Sequence, residues 1–158
     1  MKSDMPILPM LLEPEQGQGL WVLGDPYIFK VTGEQTNGHY ALAEVTVSPQ
    51  AGTPPHIHGV EHEAFYVLSG EVTFVHASGA QRVKAGGFVQ IPPGAVHAYK
   101  NETATPARML VLLTPAGFER FFQEIGTPIS DAPEPPPVTP ALLDRMMDIA
   151  PHYHLEFA

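Results

Sequence analysis

The sequence predicts an all-β fold, a sandwich or barrel, and three observations carry that reading. From Leu20 to Leu113, short segments rich in β-branched and aromatic residues recur between glycine, proline and asparagine turns. They recur about every eight to twelve residues, as in sheet proteins built from hairpins. Apolar and polar residues alternate within several of them, the period of a strand with one buried face. Only after Thr114 does the period lengthen towards that of a helix.

Residues 1–19 form an irregular N-terminal arm, with Ile7, Leu8, Leu11 and Leu12 among prolines and glycines and room for one short strand. Residues 20–113 hold the strand segments LWVLG, YIFKVTG, HYALAEVTV, EAFYVLSG, EVTFVHASG, FVQIPPG, HAYKN and ARMLVLLT. Ser69–Gly70 and Ser78–Gly79 are expected to be hairpin turns. Residues 114–158 carry C-terminal helices and a proline-rich tail within the same domain. In FERFFQEIG, Phe118, Phe121, Phe122 and Ile125 share one helical face, with Pro115 suited to the first turn and Gly126 to the stop. This helix is expected to pack outside the sheets. Residues 127–140 read as an extended spacer, and Thr139–Pro140 as the cap of a second short helix, ALLDRMMDIA. No internal repeat is visible.

Composition narrows the function classes. The 158 residues suffice for one domain with its own core. With no cysteine, thiolate zinc sites, disulfide scaffolds, iron–sulfur clusters and cysteine nucleophiles are excluded, so any metal must be held by imidazole and carboxylate. The net charge is −9, and the 8 Lys and Arg are scattered, so a nucleic-acid partner is not expected. No apolar run approaches the length of a membrane span. MKSDMPILPMLLEPE is too short and proline-broken for a secretory signal, and a cytoplasmic protein is expected.

Two stretches carry the chemistry. In GTPPHIHGVEHEAFYVLSG, His56 and His58 are two residues apart, so a strand presents both imidazoles on one face. Glu63 opens the next segment, so two nitrogens and one carboxylate are expected to converge from adjacent strands. In GGFVQIPPGAVHAYKN, Pro92 and Gly94 force a turn and His97 follows at the start of a strand. A third imidazole could close the site from the opposite side of a barrel. Such a set suits one divalent transition metal ion (Fe, Mn, Ni, Co, Cu or Zn) and leaves coordination positions open, as catalytic sites do. A lone HxH would be weak evidence, since most such pairs are incidental. The second string, 16 residues past Gly70, makes coincidence a poor explanation.

At these residues the chain resembles the cupin superfamily. The first cupin motif, G(x)5HxH(x)3–4E(x)6G, is met by His56, His58, Glu63 and Gly70, with Gln50 where the leading glycine is expected. The second, G(x)5PxG(x)2H(x)3N, is met by Gly86, Pro92, Gly94, His97 and Asn101. The resemblance implies a double-stranded β-helix, a barrel of two antiparallel sheets with a metal near one mouth, over roughly residues 20–113. The flanks LGDPYIFKVTGEQTNG, HEAFYVLSGEVTF and LLTPAGFERFFQEIG resemble single-domain bacterial cupins of the quercetin 2,3-dioxygenase-like branch. That branch implies His56, His58, Glu63 and His97 as metal ligands. It also implies Glu63 as the base that takes a substrate proton, a role suited to a carboxylate whose proton affinity an apolar wall raises.

The expected function is an O2-dependent dioxygenase acting on a small aromatic or enol-bearing compound. Two alternatives stand beside it: a non-catalytic or sensory small-molecule-binding cupin, and a metal-dependent isomerase or lyase. Phe65 and Val67 alternate with Glu63, and Tyr99 follows His97 by two, so all three should face inward as core or as substrate-binding wall. Tyr99 is the best placed for a hydrogen bond behind the ligands. Glu61 and His62 are expected to face away from the metal. His39 falls on the inward face of HYALAEVTV yet sits at a strand end, where histidines are commonly exposed. His76 reads as a surface residue, and His152 and His154 as candidates to tether the tail. Trp21 and the apolar arm are expected to pack across a homodimer.

Overall fold

The computed structural model describes residues 9–158, so Ile7 and Leu8 of the N-terminal arm lie outside the described residues. In chain order the first strands are β1 (Gln18–Val22), β2 (Asp25–Val31), β3 (Ala41–Val47), β4 (His56–His58), β5 (His62–Ser69) and β6 (Glu71–His76). They are followed by β7 (Gly79–Lys84), β8 (Phe88–Ile91), β9 (His97–Lys100) and β10 (Ala107–Thr114). Helix α1 (Glu119–Ile125), strand β11 (Thr127–Pro128), helix α2 (Pro140–Ile149) and strand β12 (Leu155–Phe157) complete the chain.

Alternation builds the core. Ala41, Ala43, Val45 and Val47 of β3 are buried while the residues between them are partly exposed, and Ala107, Met109, Val111 and Leu113 of β10 repeat the pattern. Because strand side chains alternate faces, this register sends one apolar set of each strand inward at once and leaves Leu42, Leu110 and Leu112 on the partly exposed face. The strands pair antiparallel in two sheets, β11-β1-β2-β3-β10-β5-β8 and β12-β4-β9-β6-β7, which face each other as a double-stranded β-helix. Phe65 and Met109 of the larger sheet and Val72 of the smaller are almost wholly buried, each worth roughly 1.5–3 kcal/mol of hydrophobic stabilisation.

Several expectations change. Ser78–Gly79 does close a hairpin, since β6 and β7 pair from Glu71–Lys84 to His76–Gly79. Ser69–Gly70 does not. β5 pairs with β10 and β8 whereas β6 pairs with β7 and β9, so this turn carries the chain from one sheet to the other. Gly70 has φ +77°, and a Cβ there would lie 2.9 Å from the Cα of Ala107, so the crossover needs glycine. Gln50, where the motif resemblance expects glycine, adopts φ +65° nonetheless, at a cost of roughly 1–2 kcal/mol.

The C-terminal segment is more involved than a spacer with two helices. Both helices lie outside the sheets, with α1 starting at Glu119 rather than at Pro115. Buried Glu119 holds the entry loop to the turn after β2, accepting from the Gly33 and Gly117 backbone N–H groups at 2.7 and 2.6 Å. Thr139 caps α2, its hydroxyl accepting from the Leu142 N–H at 3.2 Å. Residues 127–140 hold strand β11 and a turn of 3-10 helix at Ile129–Asp131. The final residues form β12, which pairs with β4 at Leu155–His58 and Phe157–His56. Trp21 is tied within its own chain, its indole N–H donating to the Ala132 carbonyl at 3.0 Å.

Candidate metal centre

The site begins with a strand only three residues long. His56 and His58 of β4 are buried and Ile57 between them is partly exposed, as a period of two requires. β4 is held between β9 and β12, and His56 is paired directly with His97. The end of β4 is fixed by the Gly94 N–H donating to the His58 carbonyl at 2.8 Å. The three imidazoles therefore come from one sheet, and Glu63 of β5 comes from the other. This reverses the expected arrangement: Glu63 is the residue that crosses the barrel, and His97 is the neighbour of His56.

All four side chains are buried, and one ligand atom from each lies within 4.8 Å of the other three. Glu63 Oε2 is the shared point, 2.9 Å from His97 Nε2 and 3.3 Å from His58 Nε2. Backbone carbonyls orient two of the rings. Nδ1 of His56 donates to the Pro54 carbonyl at 2.9 Å and Nδ1 of His97 to the Ala95 carbonyl at 3.0 Å. With those protons committed, a neutral ring presents its Nε2 lone pair to the centre. A lone pair 2.9 Å from a carboxylate oxygen is repulsive unless a proton or cation sits between, and a cation satisfies all four groups together.

The charges fit that reading. Burial pushes His56 down to about 4, so it is neutral as a ligand must be. Burial also disfavours charge on His58, but Glu61 and Glu63 outweigh it and raise the ring to about 9. Burial pushes the Glu63 carboxyl up, yet hydrogen bonds from His58 and His97 prevail and hold it at about 2. The apolar wall does not set the proton affinity of Glu63, contrary to expectation; the imidazoles do. A divalent cation can replace the proton on His58, as metal binding to such sites does.

Glu61 is not one of the four clustered ligand residues and lies behind His58. It is buried, and its Oε2 lies 3.6 Å from His58 Nδ1. Neither atom has a hydrogen-bond partner among the described residues. Residues 59–61 form the link between sheets, where strand alternation no longer governs direction. His62 is exposed, and its Nδ1 accepts from Gln90 at 3.2 Å. His39, His76, His152 and His154 are also exposed. The tail is tethered by the backbone of His154, whose carbonyl accepts from the Gly59 N–H at 2.8 Å, rather than by an imidazole.

The ligands open onto a cavity of about 310 Å³ between the sheets. Phe65 and Tyr99 line it, as expected. Val67 is fully buried but lies two residues farther along β5, about 7 Å past Phe65, and does not reach the lining. Tyr27 and Asp25 line it too, and the alternation of DPYIFKV was the signal for both. Phe118, Phe121, Ile125, Met146 and Phe157 complete the wall, so α1, α2 and β12 close the cavity rather than merely pack outside. Tyr27 and Tyr99 join their hydroxyls at 3.0 Å, and burial pushes both phenols up, so they stay protonated.

A family model for the cupin domain matches residues 43–113. The chain is 25% identical over 121 residues to quercetin 2,3-dioxygenase of Bacillus subtilis, covering 77% of this chain and 36% of that one. It is thus similar to about a third of a longer protein. Among solved structures, a predicted oxalate decarboxylase from Thermotoga maritima superposes with a TM-score of 0.62 at 18% identity, covering 67% of this chain and 99% of the other. A polyketide cyclase from Streptomyces resistomycificus gives 0.59 at 24% identity, covering 68% and 80%. At such identities these structures speak for the fold alone.

Proposed function

We propose, for a chain that belongs to the cupin superfamily, that His56, His58, Glu63 and His97 hold one divalent transition metal ion (Fe, Mn, Ni, Co, Cu or Zn) and that the protein is an O2-dependent dioxygenase of the quercetinase type. One observation carries the reading. Four buried ligand atoms converge, and three of the residues, His56, His58 and Glu63, line a cavity whose wall also carries the rings of Phe65, Phe118, Phe121 and Phe122. The similarity to quercetin 2,3-dioxygenase supports the choice of reaction.

A metal bound there supplies Lewis acidity towards an enol or phenol oxygen and, if redox-active, electron exchange with O2. The chain's own groups do the rest. Three imidazoles and one carboxylate would hold the ion, and His56, His58 and Glu63 line the cavity beside it. Glu63, ionised and able to turn one oxygen to the cavity, takes the proton from the substrate hydroxyl. Phe65, Phe118 and Phe121 provide flat apolar contact for a small aromatic or enol-bearing substrate and keep water from competing. Val67 backs this wall from the core. The proposal extends to a cytoplasmic homodimer, in which Leu11 and Leu12, exposed on the N-terminal arm, would be covered.

The test is O2 uptake and CO release by metal-loaded protein with a panel of flavonols. O2 uptake with CO release, both abolished by Glu63→Gln, supports the reading. Turnover that continues unchanged under nitrogen defeats the dioxygenase assignment and favours isomerase or lyase chemistry at the same ligands.

A further inference from the structure

The Tyr27–Tyr99 pair has a proton to spare. Each phenol carries one O–H, and the single hydrogen bond between them, at 3.0 Å, uses one of the two. Neither hydroxyl has another partner among the described residues. Both side chains are more than nine-tenths buried, at 7% and 6% exposure, and buried tyrosine hydroxyls normally find an acceptor. Asp25, two residues before Tyr27 on the same face of β2, lines the same cavity but accepts from the Ser48 N–H at 3.0 Å and bonds neither phenol. The free donor is thus left to whatever occupies the cavity that both tyrosines line.

Placement gives this donor a partner at the metal. Tyr99 stands two residues beyond His97 on the same face of β9, about 7 Å along the strand. Tyr27 reaches it from the opposite sheet. The cavity is therefore lined by polar groups at His56, His58 and Glu63 and, about 7 Å along β9 from His97, at the tyrosine pair, with the rings of Phe65, Phe118 and Phe122 among the apolar lining.

We infer that the Tyr27–Tyr99 hydroxyl pair is a second anchoring subsite, which selects flat aromatic substrates bearing a hydroxyl or carbonyl oxygen at the end remote from the oxygen held at the metal. This rests on the aromatic-substrate reading above and gives it a specificity determinant. It depends on neither O2 nor turnover. An aromatic compound with one oxygen would satisfy the metal end only, leaving the buried donor unmet, which is costly enough to discriminate.

The experiment is equilibrium binding under nitrogen to metal-loaded protein, with 2-naphthol and 2,6-dihydroxynaphthalene as probes. The wild-type protein is expected to bind the diol about tenfold more tightly, the equivalent of one hydrogen bond. Tyr27→Phe with Tyr99→Phe keeps both rings and should abolish that preference, with 2-naphthol bound at least as tightly as by the wild-type protein because no donor is left unmet, and with metal content unchanged. Should the double variant fail to fold, Tyr27→Phe alone, which leaves Tyr99 a donor, should keep a reduced preference. Equal affinity of the wild-type protein for the two naphthols overturns the inference, as does a tenfold preference that survives the double substitution. Absence of O2 uptake with flavonols would defeat the dioxygenase reading while leaving this binding result standing.

Discussion

His97 and Glu63 stand on different sheets, yet Nε2 of the one lies 2.9 Å from Oε2 of the other. The His97 ring is held by the Ala95 carbonyl on its far side, so this contact is one of the points, with His58–Glu63 and Tyr27–Tyr99, where polar atoms join the two sheets inside the barrel. A cation at the shared oxygen would serve both.

Metal content should follow from that geometry. Protein purified without chelator is expected to carry about one metal per chain, and His97→Ala less than about a tenth of that, because one of few ligands is removed. His62→Ala, on the exposed face of β5, should leave the content unchanged. Elemental analysis of the three proteins checks this; equal loss in both variants would mean the ligands are misassigned.

Glu61 should orient His58. Its Oε2 and His58 Nδ1 face each other at 3.6 Å with no other partner. Carboxylates behind metal-bound imidazoles typically contribute about 10–100-fold in affinity. Glu61→Leu is expected to weaken metal binding by that order, whereas Glu61→Gln, which retains an acceptor oxygen, should recover most of it. Competition titration with a chromophoric chelator separates these outcomes; equal loss for Gln and Leu would remove the acceptor argument.

Glu119 should matter for stability and not for metal. Its two oxygens satisfy the Gly33 and Gly117 N–H groups. Glu119→Ala leaves both donors unmet and is expected to cost about 2–4 kcal/mol in urea denaturation. A loss under about half a kcal/mol would show that water replaces the carboxylate there.

Asp25 should give a pH signature. Burial pushes its carboxyl above the ordinary 3.8, outweighing the bonds from Ser48. The folded chain thus holds this proton more tightly than the unfolded one. The resulting stabilisation is complete below the unfolded value of 3.8 and is lost as pH rises through the folded one. Asp25→Asn does not titrate and keeps an acceptor for the Ser48 N–H. The stability of wild type relative to this variant should therefore fall as pH rises above about 3.8 in thermal melts. A constant difference would show that Asp25 is not desolvated.

The fold and the shared face of His56 and His58 were legible because both rest on local periodicity, whereas Glu63 and His97 were named as ligands from the resemblance of the two motifs to those of cupins. Alternation in ALAEVTV and ARMLVLLT specified buried faces without reference to any partner, and β3 and β10 follow it residue by residue. His56 and His58 share a face for the same reason. The contact of Glu61 with His58 was not legible because Glu61 lies in the link between sheets, where direction is set by the route of the chain. β12 escaped notice because LEF is too short to show a period, and only pairing with β4 makes it a strand.

By itself the sequence determined which residues could bind a metal, that thiolates were absent, and that strands would bury alternating side chains. These follow from composition and from a repeat of two. The tertiary structure decided what faces what: that Glu63 and not His97 crosses the barrel, that Ser69–Gly70 changes sheets, and that α1, α2 and β12 wall the cavity. It also decided that Tyr27 and Tyr99, 72 positions apart, share one hydrogen bond and leave one donor over. Such relations depend on strand order and sheet stacking, and no local pattern encodes the distance between two residues on different sheets.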